Sequence, residues 1–384
     1  MKIAARSEIA PFYVMEVMKA AAERAAATGD VLHLEVGQPS TPAPRGVIEE
    51  ARRILDEDRL GYTDATGIPP LRHRIALHYR ERHDLDIDPD RIAVTVGASG
   101  GCVLAFLATF DAGDRVAVTE PGYPCYRNML EALGIEAVGV PVGPETRFVP
   151  TTDQLDAAGP LDGLVLASPS NPTGTTLTSA ELESLAAHCT AGGIRIVADE
   201  IYHGISYGDP APTALAFSDS AVVVQSFSKY YSMTGWRLGW LVVPDELIRP
   251  VERLAQNLFI SAPTLSQHAG ISAFDCGEEL DRNVARYATN RTVLLEAFER
   301  AGLARLAPPD GAFYLYVDVS QITDDSPALC RTWLDELGVA TTPGIDFDPV
   351  RGHRFVRFSY SESTEDVTEA ARRIEGWMRE RRGH

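Results

Sequence analysis

Short apolar runs recur at regular intervals through the middle of this chain, and each stops abruptly at polar residues. Ile92–Val96, Val116–Thr119, Gly163–Ala167, Ile194–Ala198, Ala221–Gln225 and Leu241–Val243 are continuous rather than alternating. Runs of that length and continuity read as strands buried on both faces, as in a parallel sheet covered by helices. Helical stretches separate them. A glycine-rich turn, residues 97–101, leads into a helix reaching about Phe110, and Thr178 with Glu181 forms a capping box for a helix to Cys189. Ahead of this block, Met15–Thr28 reads as a helix broken by Gly29-Asp30, Val31–Val36 as a short strand, and Arg45–Glu57 as a helix. Pro69-Pro70 starts another, where proline is tolerated. Beyond Leu265 the pattern changes. Long helical periodicity runs to Arg300, strand-like stretches follow at residues 311–317 and 354–360, and a helix covers Thr364–Arg381. The expectation is an α/β protein: a large domain with a mainly parallel sheet, helices on its faces, and a smaller α+β domain.

Composition narrows the function. A length of 384 residues gives a prior of two to three domains. The net charge of −19 argues against nucleic acid or an anionic membrane surface as partners. The five cysteines are scattered without C-x-x-C spacing, so neither a disulfide framework nor a zinc site is indicated. Met1–Pro11 has no apolar signal core and no run approaches a membrane span, which makes a cytoplasmic enzyme the expectation.

The chemistry gathers where strands end, the usual place for it in an open α/β sheet. Ser226-Phe227-Ser228-Lys229 follows the run at 221–225, and Arg237 sits eight residues on beside small residues. Lys229 is one of only three lysines, with Lys2 and Lys19, in a chain whose positive charge is otherwise arginine. A lysine can lose its proton and form a Schiff base with a carbonyl; an arginine cannot. Other strand ends supply Asn171, and Asp199 with Tyr202, while the Gly97 turn offers backbone N–H groups at a helix N-terminus. The glycines lack G-x-G-x-x-G spacing, which argues against NAD. An amine, a carboxylate, ring-oxygen donors and an anion site together are what pyridoxal phosphate requires.

The string from Ser226 to Trp240 resembles the cofactor-lysine segment of fold-type I pyridoxal-phosphate enzymes, the class I/II aminotransferases in particular. The resemblance runs from Val36-Gly37 through Asn-Pro-Thr-Gly, Asp-Glu-Ile-Tyr and Gly-Ala-Phe-Tyr to Val356-Arg357. It implies a large domain at 46–279 and a small one built from 1–45 and 280–384. It implies that Lys229 holds pyridoxal 5′-phosphate as an internal aldimine and later moves the proton at the substrate Cα. Asp199 keeps the pyridine nitrogen protonated, Tyr202 and Asn171 donate to the ring oxygen, and Tyr123 stacks on the ring. Ala98, Ser99, Ser226, Ser228 and Arg237 hold the phosphate. Arg357 takes the α-carboxylate of the substrate, and Gly37 lets the substrate approach the backbone. Tyr62 reaches the cofactor of a second subunit, so the active unit is a homodimer with shared sites.

The implied activity is transamination between an L-amino acid and a 2-oxo acid through pyridoxamine phosphate. A carbon–sulfur β-lyase, a cyclopropane-forming synthase or an oxidase would keep nearly the same cofactor residues. A non-catalytic pyridoxal-phosphate sensor is the reading from another class; the retained Arg357 argues against it. Phe12 and Tyr13, in the apolar strip at the N-terminus, are expected to line the substrate pocket and suit an apolar or aromatic side chain. No arginine stands out for a second substrate carboxylate.

Overall fold

The computed structural model describes residues 1–382. Helix α1 (Tyr13–Thr28) ends at Gly29, whose φ of 69° lets its N–H close back on Ala25. A two-residue strand, β1 (Leu32–His33), follows, then α2 (Arg45–Glu57) and α3 (Pro69–His83). In α2 the buried residues Val47, Ala51 and Ile54 fall on one stripe, the spacing of a surface helix.

The expected alternation then unfolds as β2 (Ile92–Thr95), α4 (Gly97–Thr109), β3 (Arg115–Glu120), α5 (Pro124–Leu133), β4 (Glu136–Pro141), α6 (Thr152–Ala157), β5 (Gly163–Ala167), α7 (Ser179–Gly192), β6 (Arg195–Asp199), β7 (Val222–Ser226) and β8 (Gly239–Val242). These seven strands form one sheet in the order β2-β8-β7-β6-β5-β3-β4. Only β8 runs against its neighbours, so β2 points the same way as β7. Continuous apolar runs were the right signal because both faces are covered. In β5, Leu164 and Leu166 join one apolar cluster and Val165 the other; in β6, Ile196 and Ala198 face away from Val197. The capping box at Thr178 and Glu181 is formed.

The remaining elements are α8 (Asp245–Leu258), α9 (Thr264–Ala273), α10 (Gly277–Arg300), β9 (Tyr314–Asp318), α11 (Ser326–Thr332), β10 (Val339–Ala340), β11 (Thr342–Pro343), β12 (Phe355–Ser359) and α12 (Thr364–Arg382). A three-stranded antiparallel sheet, β11-β12-β9, stands apart from the large one. Strand β1 pairs in parallel with β10, which ties the N-terminal segment to the C-terminal part of the chain.

Three expectations need correction. Residues 97–101 are the first turns of α4 rather than a turn before it: Gly97 alone has a positive φ, 67°, and the next glycines are helical. The strand expected over 31–36 is a regular strand only at Leu32–His33, because its partner β10 is itself two residues long; Leu34 adds one bond to the Ala340 carbonyl and accepts another from the Ser359 N–H. The sequence reading assigns no strand to 136–141, yet β4 closes the sheet there; an edge strand half in solvent and interrupted by Gly139 carries little apolar signal. Among the described residues, no helix is long and apolar enough to cross a membrane.

Candidate active site

The carboxyl ends of the parallel strands converge on a cavity of about 620 Å³. Ala98 and Ser99 come from the start of α4, Tyr123 from the end of β3, and Asn171 from the loop after β5. Asp199 ends β6, with Tyr202 three residues on, and Ser228, Lys229 and Arg237 follow β7. Phe12, Gly37 and Arg357 enter from the other side.

Lys229 lies deep in this cavity, and its Nζ donates to the carbonyl oxygen of Gly37. Burial, then the nearby charge of Arg357, lowers its pKa to about 8, while Asp199 works the other way. An ammonium shifted that far becomes a nucleophilic amine near neutral pH. Asp199 is 4% exposed. Burial raises its pKa, opposed by the Tyr126 hydroxyl donating to Oδ2 at 2.6 Å and the Ile201 N–H donating to Oδ1 at 3.0 Å. A carboxylate so desolvated gains from a cationic N–H partner brought into the cavity.

Arg357, on β12, is 2% exposed. One arm of its guanidinium donates to Asn171 Oδ1 at 2.9 Å, the other to the Glu35 carbonyl at 2.5 Å and Thr342 Oγ1 at 3.3 Å. It rests over the Tyr314 ring at 4.5 Å and the Phe347 ring at 4.8 Å, while its Nε lacks a partner. Among the described residues no carboxylate pairs with it, so a buried cation here suits an anion from outside. Because Asn171 spends its Oδ1 on Arg357, its Nδ2 is left to donate into the cavity. Tyr202 and Tyr314 share a hydroxyl–hydroxyl bond of 2.6 Å. Gly37 has to be glycine: a Cβ there would lie 1.9 Å from the Tyr314 hydroxyl.

The third corner is a cradle for an anion. Gly97 opens α4 with φ at 67°, and a Cβ on it would stand 2.6 Å from Arg237 Nη2. The missing side chain therefore lets the guanidinium lie against the helix's first turn, where free N–H groups and the helix dipole favour negative charge. Arg237 is aimed there by its own left-handed backbone, φ 51°, and by donating to the Thr234 carbonyl at 3.0 Å.

Three expected residues sit elsewhere. Ser226 does not line the cavity: its hydroxyl is turned inward, donating to Ser228 Oγ at 2.9 Å and to the Leu238 carbonyl at 3.2 Å, so it orients Ser228. Tyr13 does not line it either, because as the first residue of α1 its side chain points out, 40% exposed. Tyr62 lies off the cavity on an open loop, 84% exposed. Side chains that the sequence reading did not place also reach the site, among them Tyr314, and Val14, Met15, Met18, Met129 and Ile201 on the apolar wall. Tyr126 also escaped a role, although Pro124 at a helix start with Tyr123 and Tyr126 three apart was a usable signal of one shared face.

Comparison with known proteins agrees with this geometry. The family described as aminotransferase class I and II matches residues 29–374. A valine–pyruvate aminotransferase of Mycobacterium tuberculosis is 52% identical over 98% of each chain. An aspartate aminotransferase of Thermotoga maritima is 32% identical over 92% of each. Among solved structures, an aminotransferase from Mycobacterium tuberculosis superposes with a TM-score of 0.97 at 51% identity, covering 99% of this chain and 100% of the other. The aspartate aminotransferase of Thermus thermophilus with maleate gives 0.92 at 30%, covering 98% and 99%. The chain therefore belongs to the class I and II aminotransferases, has their fold-type I architecture, and is an enzyme that transfers an amino group from an amino acid to a 2-oxo acid.

Proposed function

We propose that this cavity binds pyridoxal 5′-phosphate and transaminates L-amino acids with apolar side chains. The observation that carries the cofactor reading is a half-buried amine, its pKa lowered to about 8, sharing one cavity with a desolvated carboxylate and an anion cradle. The family depends on this cofactor, and the residues present fit it: the cradle at Gly97 and Arg237 is shaped for a phosphate, and Asp199 for a protonated ring nitrogen. Lys229 holds the cofactor covalently, Tyr202 and Asn171 donate to its ring oxygen, and Tyr123 covers its face. The Ala98 and Ser99 N–H groups, Ser228 and Arg237 hold the phosphate, with Ser226 behind Ser228. Pyridoxal phosphate supplies an electron sink for the charge left when a substrate loses its Cα proton. Asp199 keeps that sink protonated, Lys229 Nζ takes the proton from Cα and returns it, and Arg357 orients the substrate by its α-carboxylate.

Substrate class follows from the walls. Phe12, Val14, Met15, Met18, Met129 and Ile201 make one side of the cavity apolar. Among the described residues its only lining arginines are Arg237 and Arg357, both committed by the roles above. A second substrate carboxylate would be buried without a partner, which is costly. The relative at 52% identity carries a valine–pyruvate activity in its name, in keeping with an apolar donor. The test is a donor panel with pyruvate as acceptor. Valine is expected to exceed aspartate in kcat/KM by at least about tenfold, the scale of an unpaired buried polar group. Equal turnover of aspartate would overturn the substrate class while leaving the cofactor site intact.

We further propose a homodimer in which Tyr62 of each chain completes the other's cofactor site, its exposed position on the free chain being the support. The domain division is 46–279 for the cofactor-binding part and 1–45 with 280–384 for the smaller part. All seven strands of the large sheet lie inside the first range, and the β1–β10 pairing joins the two pieces of the second. Five free thiols suit a reducing compartment, and we place the enzyme in the cytoplasm.

A further inference from the structure

The apolar wall hangs on a helix with few anchors of its own. Phe12, Val14, Met15 and Met18 all line the cavity from α1 or the residue before it. Phe12 meets Tyr123 edge-on, ring centres 5.9 Å apart. Yet only Val14 and Ala21 of α1 are buried. The helix also has no local side-chain cap: Phe12 occupies the N-cap position and offers its first N–H groups no side-chain acceptor.

The cap comes from the far end of the chain. Asp346 accepts from the Tyr13 N–H through Oδ1 at 3.1 Å and from the Val14 N–H through Oδ2 at 3.2 Å. It is 3% exposed. Its backbone follows β11, whose Thr342 pairs with Arg357 on β12. The carboxylate that seats the wall is thus set on the same small sheet as the guanidinium assigned to the α-carboxylate. A slighter tie, Asn128 Nδ2 donating to the Ala10 carbonyl at 3.4 Å, holds the segment just upstream.

We propose that Asp346 is a positioning residue for donor specificity: its carboxylate seats α1 and so fixes the apolar wall against which the donor's side chain packs. This rests on the reading of an apolar donor. Both oxygens of a buried carboxylate are spent on helix N–H groups, and the positive end of the helix dipole faces the charge. Losing a helix cap shifts an equilibrium by about tenfold, and charged, buried caps lie at the strong end. The other anchors of α1, Val14 apart, hold its later turns: Ala21 with the half-buried Val17 and Ala20 against Leu334 and Ala340, and Arg24 donating to the Asp335 carbonyl at 3.0 Å. Without Asp346 the first turns of α1 therefore spend a sizeable fraction of their time off the cavity. Donors long enough to touch the wall then lose binding. Alanine, whose methyl group falls short of it, loses little.

The test uses the full-length enzyme loaded with pyridoxal phosphate, as wild type, Asp346→Ala and Asp346→Asn. Steady-state kinetics with valine, leucine and alanine are paired with amide hydrogen exchange along the chain. For Asp346→Ala the expected result is a rise of about tenfold or more in KM for valine and leucine, with kcat nearly kept and KM for alanine changed far less. Faster exchange should be confined to residues 12–20. Asp346→Asn, which keeps one acceptor oxygen, should fall between wild type and Asp346→Ala in both readouts. An unchanged KM for valine, an equal loss for all three donors, or exchange rising throughout the chain would each overturn the proposal. If the wild type prefers no apolar donor, the substrate reading fails by itself, and the exchange arm still decides: release confined to α1 supports the clamp, and unaltered exchange there refutes it.

Discussion

At the scale of single residues, the site works by desolvation. Lys229 is an ordinary amine whose surroundings disfavour its charged form: burial acts first and the charge of Arg357 second. The shift predicts a measurable titration. In cofactor-free enzyme, labelling of Lys229 by an amine-selective reagent, followed by peptide mass analysis, should rise with pH through about 8 and then level off. A labelling midpoint near that of an exposed lysine, about 10.4, would contradict the burial argument. That Asn171, Asp199 and Lys229 meet at one cavity was legible in the sequence because each stands where an apolar run stops and needs no distant partner to be noticed. What their partners are was not legible. The Tyr202–Tyr314 hydroxyl pair spans 112 residues, the Arg357–Asn171 bond 186, and the cap on α1 more than 330. No local periodicity encodes such contacts.

At the scale of elements, β6 delivers two neighbouring carboxyl groups to different fates. Asp199 faces the cavity, whereas Glu200 turns into the core, where its Oε1 accepts from Thr213 Oγ1 at 3.0 Å and the Ala214 N–H at 2.8 Å. Its Oε2 lies 3.4 Å from His203 Nδ1, close enough to count as an ion pair. Burial argues otherwise: it raises Glu200 to about 8 and lowers His203 to about 3, so both are neutral at pH 7. The folded state keeps the Glu200 proton up to about 8, while the unfolded chain releases it near 4.5. Between those values the folded state holds more protons, and this contribution to stability, complete below 4.5, is lost as pH rises to about 8. Glu200→Gln removes the titration and keeps an oxygen acceptor. Its Tm relative to wild type, in cofactor-free protein, should therefore climb steadily from pH 4.5 to 8. A constant difference across that range would show that Glu200 is ionised in the fold. Elements with strong one-dimensional signals, such as β5, β6 and α7, fall where their patterns put them. Strand β4 does not announce itself, because only Val140 of its six residues is buried, while its backbone pairs with β3 along its whole length.

At the scale of the whole molecule, Tyr62 is the residue that a single chain leaves unexplained. An aromatic ring 84% exposed on a polar loop has little to do unless a second copy covers it. If each site takes Lys229 from one chain and Tyr62 from the other, two damaged enzymes should repair each other. Tyr62→Asp and Lys229→Ala proteins, refolded together, would form hybrids with one intact site, and activity should return toward about a quarter of wild type. Verified hybrids as inactive as their parents would refute the shared site.

The central claim is that Lys229 drives a reversible exchange of an amino group at this cavity, and the half-reaction tests it most directly. Valine alone, added to enzyme loaded with pyridoxal phosphate, should replace its visible absorbance by that of pyridoxamine phosphate. Pyruvate alone should then restore it, without ammonia, and Lys229→Ala should do neither at an appreciable rate. Release of ammonia in place of that return, or an unimpaired exchange by Lys229→Ala, would contradict the account.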